Sequence, residues 1–159
     1  MTDNVLQIGM AQLAVGASPQ IIRSAGLGSC IAVVLYDPFA RVGGMAHAML
    51  PRSRPGREGN PAKYVDTSLA EMIQQMLDRG CERENIIAKL AGGAQMFPDS
   101  ERELLVIGAK NIQSARDCLK QSSIPLVAED VGGNWGRTLE LDCSDGTLYI
   151  KTLHSQATL

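Results

Sequence analysis

A continuous apolar, partly β-branched run, Ile31-Ala32-Val33-Val34-Leu35-Tyr36, predicts a strand buried on both faces. Turn chemistry follows at Asp37-Pro38-Phe39-Ala40, and Val42 to Leu50 reads as the returning strand. Val5 to Val15 is strand-rich. Tyr64 to Arg79 predicts the clearest helix, because Val65, Leu69, Met72, Ile73, Met76 and Leu77 form one stripe at helical period, with Gly80 as its stop. Lys110 to Gln121 predicts a second helix, with Ile112, Ala115 and Leu119 facing inward. Further strands are expected at Ile86 to Leu90, Leu104 to Ile107, Leu126 to Val131, Thr138 to Leu141 and Thr147 to Leu153, separated by glycine-bearing turns. Pro51 to Pro61, rich in proline and arginine, predicts a loop. Many strands with two helices imply an α/β (α+β) layered sandwich whose sheet is covered on both sides. The cover could be helices or a second sheet, and the pattern does not choose.

Composition narrows the function classes. A length of 159 residues with 45% apolar and 20% charged residues fits one globular domain, 1–159. A net charge of −2 gives no reason to expect nucleic acid or an acidic membrane. No apolar run approaches the ~18 residues of a spanning helix, so no membrane insertion is expected. The N-terminus lacks the basic start and apolar stretch of a signal peptide, which predicts a cytoplasmic protein. Cys30, Cys81, Cys118 and Cys143 are scattered without a C-x-x-C spacing, so neither a metal nor another cofactor is expected. Cys118 reads as core, and Cys81 and Cys143 as exposed bystanders near turns.

The candidate chemistry centres on Cys30. It ends Ser24-Ala25-Gly26-Leu27-Gly28-Ser29-Cys30, read as a glycine-rich loop entering the buried strand. Glycines there let backbone N–H groups, at Gly28 and Ser29 above all, turn toward a substrate oxyanion. A hairpin centred between Pro38 and Phe39 would set Cys30 directly opposite His47 on one face. A shift of two would leave them diagonal on that face, and a shift of one would separate them. An imidazole beside a thiol can take its proton and make a nucleophile, with a third polar group, Ser24, orienting the ring. Free cysteine also packs as a small hydrophobe, and these residues alone leave both readings open.

Gly26-Leu27-Gly28-Ser29-Cys30 and Gly43-Gly44-Met45-Ala46-His47-Ala48-Met49-Leu50-Pro51 closely resemble the CheD family of bacterial chemotaxis proteins. So do Lys63-Tyr64-Val65-Asp66, Gly92-Gly93-Ala94-Gln95-Met96-Phe97, Glu129-Asp130-Val131-Gly132-Gly133 and Gly136-Arg137. The order of motifs covers nearly the whole chain. The resemblance implies a deamidase (a protein-glutamine glutaminase) that converts chosen glutamines on the cytoplasmic helices of chemoreceptors to glutamates. It implies Cys30 as nucleophile, His47 as base, and Ser24 in place of the family's threonine. It also implies a sandwich like the catalytic domain of cytotoxic necrotizing factors, and for some members a CheC-type phosphatase as partner. Receptor methyl-ester hydrolysis at the same site, or a non-catalytic adaptor role, would be compatible with these motifs. Arg54 and Arg57, in the loop after the His47 strand, are candidates for steering an acidic receptor helix.

Overall fold

A computed structural model of the chain describes residues 4–56, 59–96 and 106–159. Among the described residues, ten strands form two five-stranded sheets. Sheet A contains β1 (Val5–Ile8), β3 (Ile21–Leu27), β8 (Arg137–Asp142), β9 (Leu148–Lys151) and β10 (Gln156–Thr158), in that order. Sheet B runs β2 (Gln12–Ala17), β5 (Val42–Ala48), β4 (Ile31–Asp37), β6 (Ile87–Gly92) and β7 (Leu126–Val131). Helices α1 (Val65–Asp78) and α2 (Ile107–Gln121) pack on the outer face of sheet B.

Sheet B is therefore covered twice, which explains the unbroken burial of β4 and β5. Ile31, Val33 and Leu35 meet the helices, with Leu69, Met72 and Met76 of α1 and Leu119 of α2. Cys30, Ala32, Val34 and Met45 face the other way, against Ile22, Leu139 and Leu141 of sheet A. The alternation of a strand distributes one apolar run between two cores. Both covers left open by the pattern are in use: a second sheet on one side and helices on the other.

α1 begins and ends within a residue of the predicted span. Its stop is a Schellman arrangement: Gly80 has φ +93°, its N–H donates to the Leu77 carbonyl, and Cys81 N–H donates to that of Met76. Asp66, in the first turn, accepts from the backbone of Ser53 and Thr67, a structural role.

Several expectations are corrected. Val106 and Ile107 open α2 rather than ending a strand, while 104–105 lie outside the described residues. Ser24 to Leu27 belong to β3, not to a loop. Their small residues hide a strand because its inner face needs only Ile22, Ser24 and Leu27, and its ladder with β8 is broken by an irregularity between Ser24 and Leu27, where Gly26 has φ +74°. β10 has three exposed residues and no apolar pattern to reveal it. Cys81 and Cys143 are buried, each in one of the two apolar clusters, because their turns fold back onto the core.

Candidate active site

The β4–β5 hairpin closes with Asp37 opposite Val42, leaving a four-residue loop. Asp37 Oδ1 accepts from the N–H groups of Phe39 and Ala40, and Arg41 adopts φ +55°. This loop is two residues longer than the hairpin assumed from sequence. His47 consequently faces Ala32, and Cys30 falls diagonally from it on the same inner face. Diagonal neighbours lie roughly 7–8 Å apart, within reach of an imidazole ring.

Ser24 approaches from the opposite sheet. Its Oγ lies 2.9 Å from His47 Nδ1, and both residues are essentially without solvent exposure. Ser24 and His47 thus meet in the layer between the sheets, and Cys30, diagonal to His47 on the same inner face, is 7% exposed. His47 Nε2 is buried and makes no hydrogen bond among the described residues. Burial pushes the Cys30 thiol up from its ordinary value, against a smaller downward pull from its own backbone N–H. Burial also holds the His47 imidazole down at about 4. Both shifts favour the uncharged forms, so the resting pair is a thiol and a neutral imidazole.

The backbone before Cys30 is fixed through its carbonyls. Gly28 O accepts from Ala94 N–H at 2.9 Å, Ser29 O from Asn111 Nδ2 at 2.9 Å, and Cys30 O from Gly93 N–H at 2.8 Å. In a planar trans peptide the N–H points opposite to the carbonyl. The N–H groups of Ser29 and Cys30 are thereby turned away from these partners. That orientation suits a pair of oxyanion donors. Gly92 permits the close approach. A Cβ there would lie 2.5 Å from Cys30 O and 2.7 Å from Leu27 Cδ2, and φ is +105°.

Asn111 was not singled out from the sequence. Its amide also donates to Met49 O at 3.0 Å, so one buried side chain ties the nucleophile loop to the end of the His47 strand. The signal was available: an asparagine four residues before Ala115, on the inner stripe of α2. Arg54 is exposed on a loop tied to the helix layer by Ser53–Asp66 and Ser114–Pro51 hydrogen bonds. Arg57 lies outside the described residues. Asp130 pairs with Arg137 at 3.2 Å, and Gln95 N–H donates to Gly133 O, so these two support loops.

Residues 49–152 match the family model described as CheD chemotactic sensory transduction. The chain is 46% identical over 155 residues to the chemoreceptor glutamine deamidase CheD of Halalkalibacterium halodurans, covering 96% of both chains. It is 44% identical to a probable chemoreceptor glutamine deamidase CheD of Caldanaerobacter subterraneus, again covering 96% of both. A probable protein of the same name from Pyrococcus abyssi is 46% identical, over 92% of this chain and 90% of the relative. Among solved structures, the Bacillus licheniformis hypothetical protein YfiH shares the fold with a TM-score of 0.51 at 13% identity. That match covers 77% of this chain and about half of YfiH, at 51%.

Proposed function

The chain belongs to the CheD family, and from that premise and the geometry between the sheets we propose that it deamidates glutamine side chains on chemoreceptors, with Cys30 as nucleophile. The observation that carries the mechanism is the Ser24–His47 contact. With His47 Nδ1–H donating to Ser24 Oγ, the Nε2 lone pair is left for the thiol. Because both groups rest uncharged, His47 takes the Cys30 proton as sulfur attacks the glutamine carbonyl, rather than storing a ready-made thiolate. The tetrahedral oxyanion receives the N–H groups of Ser29 and Cys30, with Gly28 supplying the open backbone beside them. One such donor is typically worth ~3 kcal/mol of barrier. The imidazolium then protonates the departing nitrogen, and ammonia leaves a thioester. Water, deprotonated by His47, hydrolyses the thioester to glutamate and restores the thiol.

The reading takes residues 1–159 as one catalytic unit. Arg54 serves as a long-range steering charge for an acidic receptor segment. A cytoplasmic location follows from the receptor face such an enzyme must reach, and among the described residues no helix is long and apolar enough to cross a membrane. A CheC-type phosphatase is a second partner on the family resemblance alone, and binding to a purified phosphatase of that type tests it.

The activity is tested by incubating a receptor cytoplasmic fragment with the protein and reading peptide masses and free ammonia. A gain of about one mass unit at defined glutamines, with one ammonia each, is expected. An unchanged fragment would refute the activity.

A further inference from the structure

A groove of about 830 Å³ lies beside the nucleophile loop, and the mechanism above does not use it. Met96 links the two. It lines the groove, and its side chain sits 3.4 Å from where a Cβ on Gly28 would be. The ladder of sheet A leads the same way: Leu27 pairs with Arg137, and the adjacent Thr138 pairs with Lys151. Two strand spacings put the Lys151 backbone roughly 10 Å from that of Leu27.

The groove has an apolar ridge and a basic lining. Trp135 is 47% exposed, Met96 43% and Leu153 93%. The Trp135 ring rests on the guanidinium of Arg137, 5.6 Å from the ring centroid. Arg137 is itself fully buried and held by Asp130 and the Gly132 carbonyl, yet its Nε and Nη1 have no hydrogen-bond partner among the described residues. Arg23 and Lys151 add positive charge, and among the described residues no carboxylate lines the groove. The nearby acids Glu140 and Asp130 are each taken by one arginine, while Lys151 is in no ion pair among the described residues.

We infer that this groove is the docking surface for the receptor, and that it takes an acidic, amphipathic helical segment flanking the target glutamine. The inference rests on the deamidase reading for the identity of its occupant. The apolar stripe of such a helix lies on Trp135, Met96 and Leu153, and its carboxylates face Lys151, beside Arg23 in its ion pair with Glu140. This arrangement matches charge to charge while presenting a neighbouring glutamine to the loop at Cys30. A fixed aromatic platform costs little ordering entropy on binding.

The test is fluorescence anisotropy of a labelled receptor cytoplasmic fragment titrated with the full chain carrying Cys30→Ala, so that binding is read without turnover. Leu153→Glu and Lys151→Glu alter exposed side chains and leave folding intact. Each is expected to weaken binding about tenfold at low salt, with the Lys151→Glu loss, a reversal of charge, shrinking more than the Leu153→Glu loss as salt rises. Trp135→Ala is expected to weaken it at least as much. Phe39→Ala, at the hairpin turn about 20 Å away along β4, is expected to change nothing. Groove variants that all bind as tightly as the parent would overturn the inference, as would an equal loss in Phe39→Ala. So would self-association that Leu153→Glu abolishes while receptor binding persists, because the groove would then belong to a second copy. Active enzyme that binds through the groove but leaves the glutamines unchanged would defeat the deamidase reading alone. Deamidation with an unaltered KM in the groove variants would defeat the docking surface alone.

Discussion

Ser24→Ala removes the hydroxyl that His47 Nδ1 meets at 2.9 Å. Nε2 already lacks a partner among the described residues, so the variant leaves the whole buried ring unpaired there. An orphaned buried donor costs about 1–3 kcal/mol, which for a domain of this size corresponds to a fall in Tm of roughly 3–10 °C. The same loss frees the ring to carry its proton on Nε2, where it blocks the approach of the thiol proton. Carried into the barrier, 1–3 kcal/mol lowers kcat by about 5- to 160-fold. KM should change little, because Ser24 lies behind the ring in the opposite sheet and does not face substrate. Ser24→Thr keeps the oxygen and restricts χ1, so kcat should be retained or rise by up to about threefold. Steady-state kinetics on a receptor fragment, with thermal unfolding in parallel, reads both effects. A Ser24→Ala variant with kcat within twofold of the parent and an unchanged Tm would refute the role given to the hydroxyl.

Three further outcomes follow from the same geometry. His47 is held at about 4 by burial, below its unfolded value, so the unfolded chain binds more protons between these two values. Stability should be complete above about pH 6.5 and fall as pH drops toward 4, by about 3 kcal/mol in all, and kcat/KM should show no inflection near 6.5; urea titrations and a pH–rate profile check this, and an inflection near 6.5 contradicts it. Asn111→Leu leaves the carbonyls of Ser29 and Met49 unpaired, so unfolding free energy should drop by about 2–4 kcal/mol and kcat by more than tenfold. The loss of kcat should persist at temperatures where circular dichroism shows the variant fully folded. Arg54→Glu should lower kcat/KM a few-fold in dilute buffer and not at high salt, as stopped-flow or steady-state rates across a salt series will show.

The chain shows some of this site plainly and hides the rest for identifiable reasons. The β4 run and the α1 stripe have strong periods, so their places were readable, and same-face placement of Cys30 and His47 survived a register shift of two because side-chain period in a strand is two. The shift itself depended on Asp37 capping a four-residue loop, which turn composition suggests without fixing its length. Ser24 was legible as a residue type through the family motif, but its element was not. β3 is disguised by small residues, and contact across two sheets has no local signature. Asn111 was hidden by distance in sequence, since its partners lie 82 and 62 residues away. Trp135 and Leu153 come together only because β8 and β9 pair, so no stretch of sequence marks the groove.

The central claim is that glutamine deamidation runs through a thioester on Cys30. Adding hydroxylamine to the receptor assay tests it most directly, because an amine can intercept a thioester in place of water. The account predicts γ-glutamyl hydroxamate at the same glutamines that become glutamate, with both products lost in Cys30→Ala. Continued deamidation by Cys30→Ala, at a rate near that of the parent, would contradict it.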